Sequence, residues 1–112
     1  MSSLSAKSCK PCEGGIPALD RQQAQEMLQQ IDGAWSLQED KAIHRDFDFK
    51  NFYETMAFVN AIAWIANQEG HHPDLTVSYN QCGVAFTTHA IGGLSENDFI
   101  CAAKVDALMA GQ

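Results

Sequence analysis

The sequence has no long apolar run. Its longest apolar stretch, from Met56 to Ala66, is interrupted by Asn60 and is far shorter than the roughly 20 residues that a membrane-spanning helix requires. The opening residues, MSSLSAKSCKPC, contain no apolar run after their first lysine, so they do not resemble a secretory signal. We therefore expect a cytoplasmic protein with no membrane partner.

Basic residues are also scarce. Seven Lys and Arg residues stand against fourteen Asp and Glu residues, which gives a formal net charge of -7. Such a chain lacks the positive footprint that binds phosphate backbones, so we expect no direct nucleic-acid partner. Charged residues make up 19% and apolar residues 46% of the 112 residues, a composition typical of one soluble globular domain.

The N-terminal residues differ in composition from the rest of the chain. Residues 1–17 contain Ser, Lys, Gly and two prolines without an apolar period, which predicts a flexible N-terminal tail ahead of a single domain at 18–112. Asp20 and Gln23 have the spacing of a capping box, which predicts the start of a first helix. Gly33 is placed to end that helix.

The next residues predict a hairpin and then a long helix. A strand begins at Trp35, turns at 39–41 and continues into a second strand. Asn51 repeats the capping pattern and opens a helix that Gly70 ends. The apolar residues of this helix form two stripes, one of Phe52, Met56, Val59, Ala63 and Ala66 and the other of Phe58, Ile62 and Ile65. One small sheet cannot cover both stripes, so we expect a homodimer or homotetramer.

A second hairpin and a last helix complete the chain. Alternating apolar residues at 75–79, a turn near 80–81 and a strand at 82–88 predict the hairpin, and Ser95 is suited to cap the helix. The element order is αββαββα. The sequence thus predicts an α+β fold, in which a four-stranded antiparallel sheet has its helices packed on one face.

Three histidines fall close together in this scheme. A hairpin that turns at 80–81 places His72 beside His89, with His71 at the same rim of the sheet. Imidazole titrates near neutral pH, so one ring can accept a proton while another donates one. Adjacent histidines before a proline are also common in ordinary loops, and the spacing alone does not decide between these readings.

A longer pattern makes the interpretation more specific. Its members, at fixed spacing, are His71, His72, Pro73, Tyr79, His89 and Asp98. The pattern resembles the signature of the pterin-4a-carbinolamine dehydratases. The surrounding segments, FVNAIAWIANQEGHHPDL and THAIGGLSENDFICAAKVDAL, are similar to bacterial members of that family, and the resemblance extends from about Asp20 to Leu108.

The resemblance implies an enzyme, a 4a-hydroxytetrahydrobiopterin dehydratase. Its reaction removes water from 4a-hydroxytetrahydropterin and gives the quinonoid dihydropterin. This product is recycled as the cofactor of aromatic amino acid hydroxylases, which implies a functional link to phenylalanine hydroxylase. The resemblance implies neither a metal nor a cofactor in the dehydratase itself.

The resemblance also implies roles for individual residues. The implied catalytic residues are His71, His72 and His89, with His71 and His89 as the proton-transferring pair and His72 chiefly orienting the pterin. The other residues implied to bind substrate are Pro73, Thr87, Thr88 and Asp98. Asp98 has a second interpretation, because an acidic residue three positions after Ser95 also suits the first turn of a helix.

Two positions depart from the family pattern. Asn67 stands where the family usually has a charged residue, often Glu, one helical turn before His71. We therefore expect His71 to lack the carboxylate that would raise its pKa, since Glu69, two positions away, points elsewhere on a regular helix. Leu75 replaces a common aromatic residue, which would loosen the contacts of the substrate ring.

The cysteines offer a different chemistry. Cys9 and Cys12 form a CxxC pair, a pattern that can hold zinc or exchange thiols. A structural zinc needs four ligands, and Cys82 and Cys101 lie in predicted elements, where we expect buried free thiols. A metal site formed by the three histidines is another alternative. Neighbouring residues in an extended segment point in opposite directions, which opposes joint binding of one ion by His71 and His72.

The remaining candidate side chains have structural interpretations. We expect His44 on the solvent side of the sheet, because it alternates with apolar neighbours. Trp35, Trp64 and Tyr79 are expected in the core. The alternative to the dehydratase is a dimerising interaction module or transcriptional coactivator, since animal relatives also act in this way. In that case the second apolar face of the long helix is the contact surface and the histidines are not needed.

Overall fold

The computed structural model describes residues 4–10 and 17–109. In these ranges the main elements are α1 (Arg21–Leu28), β1 (Ser36–Gln38), β2 (Ala42–Asp48), α2 (Phe52–Glu69), β3 (Asp74–Val77), β4 (Gln81–Phe86) and α3 (Glu96–Met109). Short 3₁₀ turns lie at Leu4–Ala6 and His89–Ile91. The predicted order αββαββα is confirmed. No helix in the described ranges is long and apolar enough to cross a membrane.

The four strands form one antiparallel sheet in the order β1-β2-β4-β3. The inward side chains of the two central strands are buried, among them Ile43, Phe47, Val84 and Phe86. They join the core residues of α2 and α3 in one cluster, while alternate residues face the other way. The predicted α+β class, with helices on one face of the sheet, is confirmed.

Local signals determine most element ends. Asp20 accepts a hydrogen bond from the Gln23 amide while the Gln23 side chain accepts one from the Asp20 amide, so the predicted capping box is present. The Asn51 side chain caps α2, and Gly70 ends it in the left-handed region with φ 65°, which glycine adopts without strain. Helix α1 ends at Leu28, before the predicted end near Gly33.

The second hairpin differs from its predicted register. Leu75 pairs with Val84, whereas the predicted turn at 80–81 would pair it with Phe86, two residues further along. The Ser78 amide donates to the Gln81 carbonyl, so the turn centres on residues 79–80. Two long-range contacts fix it there: the Tyr79 carbonyl accepts from the Thr55 hydroxyl and the Asn80 carbonyl accepts from the Phe49 amide. A local turn pattern carries no information about such contacts.

Helix α2 has one buried and one exposed side. Its second predicted stripe, Phe58, Ile62 and Ile65, is buried, whereas Phe52 and Tyr53 are exposed. Trp64 is 65% and Tyr79 64% exposed, so the expectation that they lie in the core is wrong. The solvent side of α2 therefore carries large apolar side chains.

Trp35 is buried as expected, and its indole N–H donates to the Asp106 carboxylate.

Part of the predicted tail contacts the folded domain. Leu4 is only 2% exposed and belongs to the core cluster. Lys104 donates to the Ser5 carbonyl, and Lys7 forms an ion pair with Glu96. The composition of these residues did not predict the contacts, because each involves a partner far along the chain. The division into a flexible tail at 1–17 and a domain at 18–112 stays a prediction.

Candidate active site

A pocket of about 480 Å³ opens where the end of α2, the start of β3 and the end of β4 meet. Its lining residues are Cys9, Lys10, Glu69, Gly70, His71, His72, Thr87, Thr88, His89, Ala90 and Asn97. The three predicted catalytic histidines therefore line one pocket. Antiparallel pairing of β3 with β4 explains this, because it brings the residues before β3 and after β4 to the same rim.

The backbone and a neighbouring ring hold His71 in place. Its amide donates to the Ala66 carbonyl after Gly70 has turned the chain out of α2. Its imidazole stacks on the Phe86 ring with the two planes 9° apart and the ring centres 6.0 Å apart. Only 11% of the side chain is exposed. The ring therefore packs against Phe86 of the core on one side and borders the pocket on another.

The carboxylate of Asp98 completes this arrangement. It is fully buried, and its Oδ1 lies 2.6 Å from His71 Nε2. Its Oδ2 accepts hydrogen bonds from the Thr88 hydroxyl at 2.8 Å and the Ser95 amide at 2.9 Å. A buried carboxylate is costly unless several donors satisfy it. Three donors therefore fix its position and orient the histidine ring.

This geometry selects one chemical state of His71. A carboxylate accepts a hydrogen bond, so Nε2 carries the proton and the neutral ring has its lone pair at Nδ1. The same carboxylate stabilises the imidazolium that forms when Nδ1 takes a proton. Among the described residues, Nδ1 has no hydrogen-bond partner. His71 is thus arranged to accept and return a proton.

The expectation that His71 lacks a carboxylate is wrong. Asn67 is exposed and contributes no carboxylate, but Asp98 approaches the ring from α3. Glu69 also lines the pocket, although it is engaged elsewhere: it accepts from the Cys9 amide and lies 3.7 Å from Lys104 Nζ. His71 therefore has a carboxylate partner in Asp98, a member of the family pattern, although the charged residue one turn before it is missing.

The other predicted site residues are placed differently from His71. His72 and His89 are exposed at the pocket, and His89 begins the 3₁₀ turn that follows β4. Thr87 and Thr88 line the pocket, and the buried Thr88 bonds Asp98. Pro73 is not among the residues that line it in the described part of the chain. Asp98 lies behind His71.

Six lining residues were not predicted as part of this site: Cys9, Lys10, Glu69, Gly70, Ala90 and Asn97. The Asn97 side chain donates to the Lys10 carbonyl at 2.7 Å and accepts from the Lys10 amide at 3.0 Å. The Cys9 and Lys10 wall therefore comes from the predicted tail. The CxxC pattern drew attention to Cys9, but no signal in the sequence links it to the histidines.

The sequence offered two alternative metal sites, the three histidines and the CxxC pair, and the structure bears on them differently. In the ranges 4–10 and 17–109, no group of three or more His, Cys, Asp and Glu side chains is arranged to hold a metal ion. Cys82 and Cys101 are buried free thiols as expected. Burial, with a smaller contribution from Asp46, raises the pKa of Cys82. Cys12 lies outside the described residues. A metal-free site stays a prediction.

Comparison with known proteins agrees with the resemblance in the sequence. The sequence model of the family described as Pterin 4 alpha carbinolamine dehydratase matches residues 17–108. A protein of Nitrosomonas eutropha, provisionally named a pterin-4-alpha-carbinolamine dehydratase, is 61% identical over 95% of this chain and 93% of its own. A protein of Legionella pneumophila with the same provisional name is 60% identical over 96% of each chain.

Solved structures give the same result. A transcriptional coactivator/pterin dehydratase from Brucella melitensis is similar with a TM-score of 0.76 and 32% identity, over 81% of this chain and 97% of that one. A pterin dehydratase-like protein described as a RuBisCO assembly factor of the alpha-carboxysome shares the fold at a TM-score of 0.59. The chain belongs to the pterin-4a-carbinolamine dehydratase family.

Proposed function

We propose that this chain is a 4a-hydroxytetrahydropterin dehydratase that works by histidine acid-base catalysis. The observation that carries the proposal is the hydrogen bond between His71 and the fully buried Asp98, at the edge of a pocket that His72 and His89 also line. A proton-transferring imidazole fixed by a carboxylate is a recurrent catalytic arrangement. Family membership supports the pterin as substrate.

The reaction needs two proton transfers. The 4a-hydroxyl leaves as water after it receives a proton, and the adjacent ring nitrogen loses its proton so that the new double bond forms. His71, with Nδ1 as the basic nitrogen, and His89, exposed on the 3₁₀ turn, are the two transferring groups. Imidazole is suited to both transfers, because this group can either accept a proton from a substrate or donate one to it.

His72 has a different role in this proposal. It is exposed at the pocket, and no carboxylate among the described residues bonds its ring. It therefore orients the pterin by hydrogen bonding. Thr87 borders the same pocket. Thr88 is assigned to the support of Asp98, since its hydroxyl donates to that carboxylate, and Asp98 acts through His71 instead of touching the substrate.

The wider setting follows from the same chemistry. The product is a quinonoid dihydropterin, which needs a reductase before a hydroxylase can use it again. We therefore place the enzyme in the cytoplasm with a functional link to an aromatic amino acid hydroxylase, such as phenylalanine hydroxylase. The chain itself needs neither a metal nor a cofactor for these steps.

The experiment that tests this proposal is stopped-flow dehydration of a 4a-hydroxytetrahydropterin by the purified protein. The reaction proceeds slowly without a catalyst, so a buffer-only trace provides the baseline. We expect a rate above that baseline that is proportional to protein concentration. A trace equal to the baseline at micromolar protein would reject the dehydratase and leave the interaction module as the better account.

Self-association is a second proposal, and the exposed side of α2 carries it. Phe52, Tyr53 and Trp64 are 48%, 84% and 65% exposed there. Exposed large apolar side chains often mark an interface, and closed symmetric assemblies are the common solution. We expect a dimer or tetramer in sedimentation equilibrium, and Trp64→Lys is expected to dissociate it. A monomer at micromolar concentration would reject this.

The interaction-module alternative would use the same exposed side of α2, because the stripe of Phe58, Ile62 and Ile65 is buried. Its support is the name of the Brucella melitensis relative, which joins a coactivator role to the dehydratase. The two functions are separable, because the module does not need His71 or His89. A variant that keeps its assembly and loses its dehydration rate would show that the histidines serve only the chemistry.

A further inference from the structure

We propose that Cys9 and Cys101 form an oxidisable thiol pair whose reversible disulfide fixes residues 4–10 as a wall of the His71 pocket. Both residues are free cysteines, 92 positions apart in the sequence, and their Sγ atoms lie 3.5 Å apart. The proposal does not depend on the dehydratase reaction, because it rests on the thiols alone. We call residues 4–10 the N-terminal strap.

The strap is held so that the Cys9 side chain points at α3. The Cys9 amide donates to Glu69 Oε1 at 2.7 Å, and the Lys10 backbone makes both of its hydrogen bonds to the Asn97 side chain. Cys9 Sγ also lies 3.7 Å from the Asn97 carbonyl oxygen. These contacts on either side of the thiol place it against Cys101 before any covalent bond forms.

The remaining movement is small. A disulfide has an S–S length of about 2.05 Å, so the two sulfurs must approach from 3.5 Å. Cys101 is fully buried within α3 and is fixed by the core. Cys9 is only half-buried and lies in the strap outside the main elements. The strap can therefore supply the movement while the core stays in place.

The two thiols differ in how they meet an oxidant. Cys9 lines the open pocket and is accessible to a low-molecular-weight disulfide, whereas Cys101 is not. The hydrogen bond with Cys9, together with burial, raises the pKa of Cys101. Cys9, which is half-buried and lines the pocket, is therefore the first thiol to react.

The exchange balances without any further reactant. The Cys9 thiolate attacks one sulfur of a small disulfide, so a mixed disulfide forms on Cys9 and one thiolate leaves. Cys101 then attacks Cys9 Sγ and expels the second thiolate, which takes up the proton that Cys101 gives up. The protein gives up two electrons and two protons in total, and the small disulfide is reduced to two thiols. Excess thiol reverses both steps.

The location of the pair gives the disulfide a consequence. Cys9 and Lys10 line the pocket that holds the three histidines, so the crosslink would tie this wall covalently to α3. In a reducing compartment such bonds are transient and redox-sensing instead of structural. The chemical class of the reactant is a small disulfide, and the probe that we choose is oxidised glutathione.

The test uses full-length variants that retain one pair of cysteines at a time. Cys12→Ser/Cys82→Ser keeps Cys9 and Cys101, while Cys82→Ser/Cys101→Ser keeps Cys9 and Cys12. Each reduced protein is treated with oxidised glutathione, and its intact mass and free thiols are measured. For the first variant we expect the mass of a single chain that lacks two hydrogens, carries no glutathione and has no free thiol, and dithiothreitol should reverse the change.

Two results would overturn the proposal. One is a first variant that ends with glutathione on Cys9 and a free Cys101. The other is a wild-type protein whose peptide map shows Cys9 joined to Cys12 as the main product. Cys9→Ser, which leaves the core thiol intact, is the control that must lose the crosslink.

A second measurement tests the link to the fold. A crosslink over so long a loop restricts the unfolded chain strongly, so oxidation should raise the melting temperature of the wild type by on the order of 10 °C. The same treatment should not raise that of Cys9→Ser. An oxidised wild type that melts at or below the temperature of the reduced protein would contradict the stabilised strap.

Discussion

The described residues include two histidine-carboxylate pairs, and they differ in almost every physical respect. His44 Nε2 and Asp46 Oδ1 are 3.3 Å apart on the outer face of the sheet, where the two side chains are 29% and 53% exposed. His71 Nε2 and Asp98 Oδ1 are 2.6 Å apart, and these side chains are 11% and 0% exposed. Water screens the first pair and is excluded from the second.

The difference shows what makes an imidazole useful for catalysis. An exposed pair contributes little, because water solvates both groups and their side chains stay mobile. The buried Asp98 is held by Thr88 and Ser95 as well as by His71, so it presents one oxygen in one direction. The outer pair therefore provides matched control variants for every experiment on the inner one.

Removing an imidazole from the pocket should have the largest effect on kcat. His71→Ala and His89→Ala should each lower kcat by on the order of 10² to 10³, since each removes one positioned proton-transfer group. The double variant should keep little more than the uncatalysed rate, because the two groups serve one reaction. Stopped-flow dehydration measures all three. His44→Ala should keep the wild-type kcat.

Stability must be measured with these variants, because the two histidines are buried to different extents. His71→Ala leaves the buried Asp98 without one of its donors, at a cost of about 1 to 3 kcal/mol. His89→Ala, at an exposed position, should unfold near the wild-type temperature. Wild-type turnover in both folded variants would contradict the histidine mechanism.

Neutralising the carboxylate should give the next largest effect. Asp98→Asn keeps the size of the side chain but places an amide against His71, so the ring loses its preferred tautomer and the support of its charged form. We expect kcat to fall on the order of 10²-fold. Asp46→Asn is the matched control and should change little. Equal kcat in wild type and a folded Asp98→Asn would remove Asp98 from the mechanism.

Changing His72 should affect binding more than turnover. Its ring is exposed at the pocket and has no carboxylate partner among the described residues, so it is suited to orient the substrate. His72→Ala should raise KM by about tenfold, as expected for the loss of one hydrogen bond to the ligand. Steady-state kinetics separates the two parameters. A loss confined to kcat would instead make His72 a third proton-transfer group.

The sequence predicted those parts of the fold that local contacts determine. Asp20, Asn51 and Gly70 mark helix ends through bonds within four residues, and their signals were read correctly. The register of the second hairpin was missed by two residues, because Thr55 and Phe49 fix its turn from elsewhere in the chain. Such long-range bonds leave no local pattern.

The candidate site was likewise predicted only in part from the sequence. The spacing of the histidines and the family motif predicted that His71, His72 and His89 would meet, and they line one pocket. The motif also included Asp98, but it did not predict the hydrogen bond between Asp98 and His71. These two residues are 27 positions apart in the sequence. The strap wall was missed entirely, since Lys10 meets Asn97 across 87 positions.

Releasing the N-terminal strap should weaken substrate binding without changing proton transfer. Asn97→Ala removes both hydrogen bonds to the Lys10 backbone but leaves the bond between His71 and Asp98 intact. KM should rise severalfold while kcat stays within about twofold of wild type, since the variant alters binding and not proton transfer. Asn60→Ala, at an exposed position of α2, is the control. An unchanged KM would mean that the strap does not contact the substrate.

Removing metal ions should have the smallest effect of all. In the proposed mechanism, His71 and His89 carry out the two proton transfers, so the reaction needs no Lewis acid. Extended dialysis against a chelator should therefore leave kcat and KM at their starting values, and added zinc should not increase them. The matched control is a chelator-treated His89→Ala, which zinc should not rescue. If chelation abolished turnover and zinc restored it, the histidines would be metal ligands instead of acid and base, and the tautomer argument for the pair of His71 and Asp98 would have to be replaced by one in which that carboxylate orients a metal-binding ring.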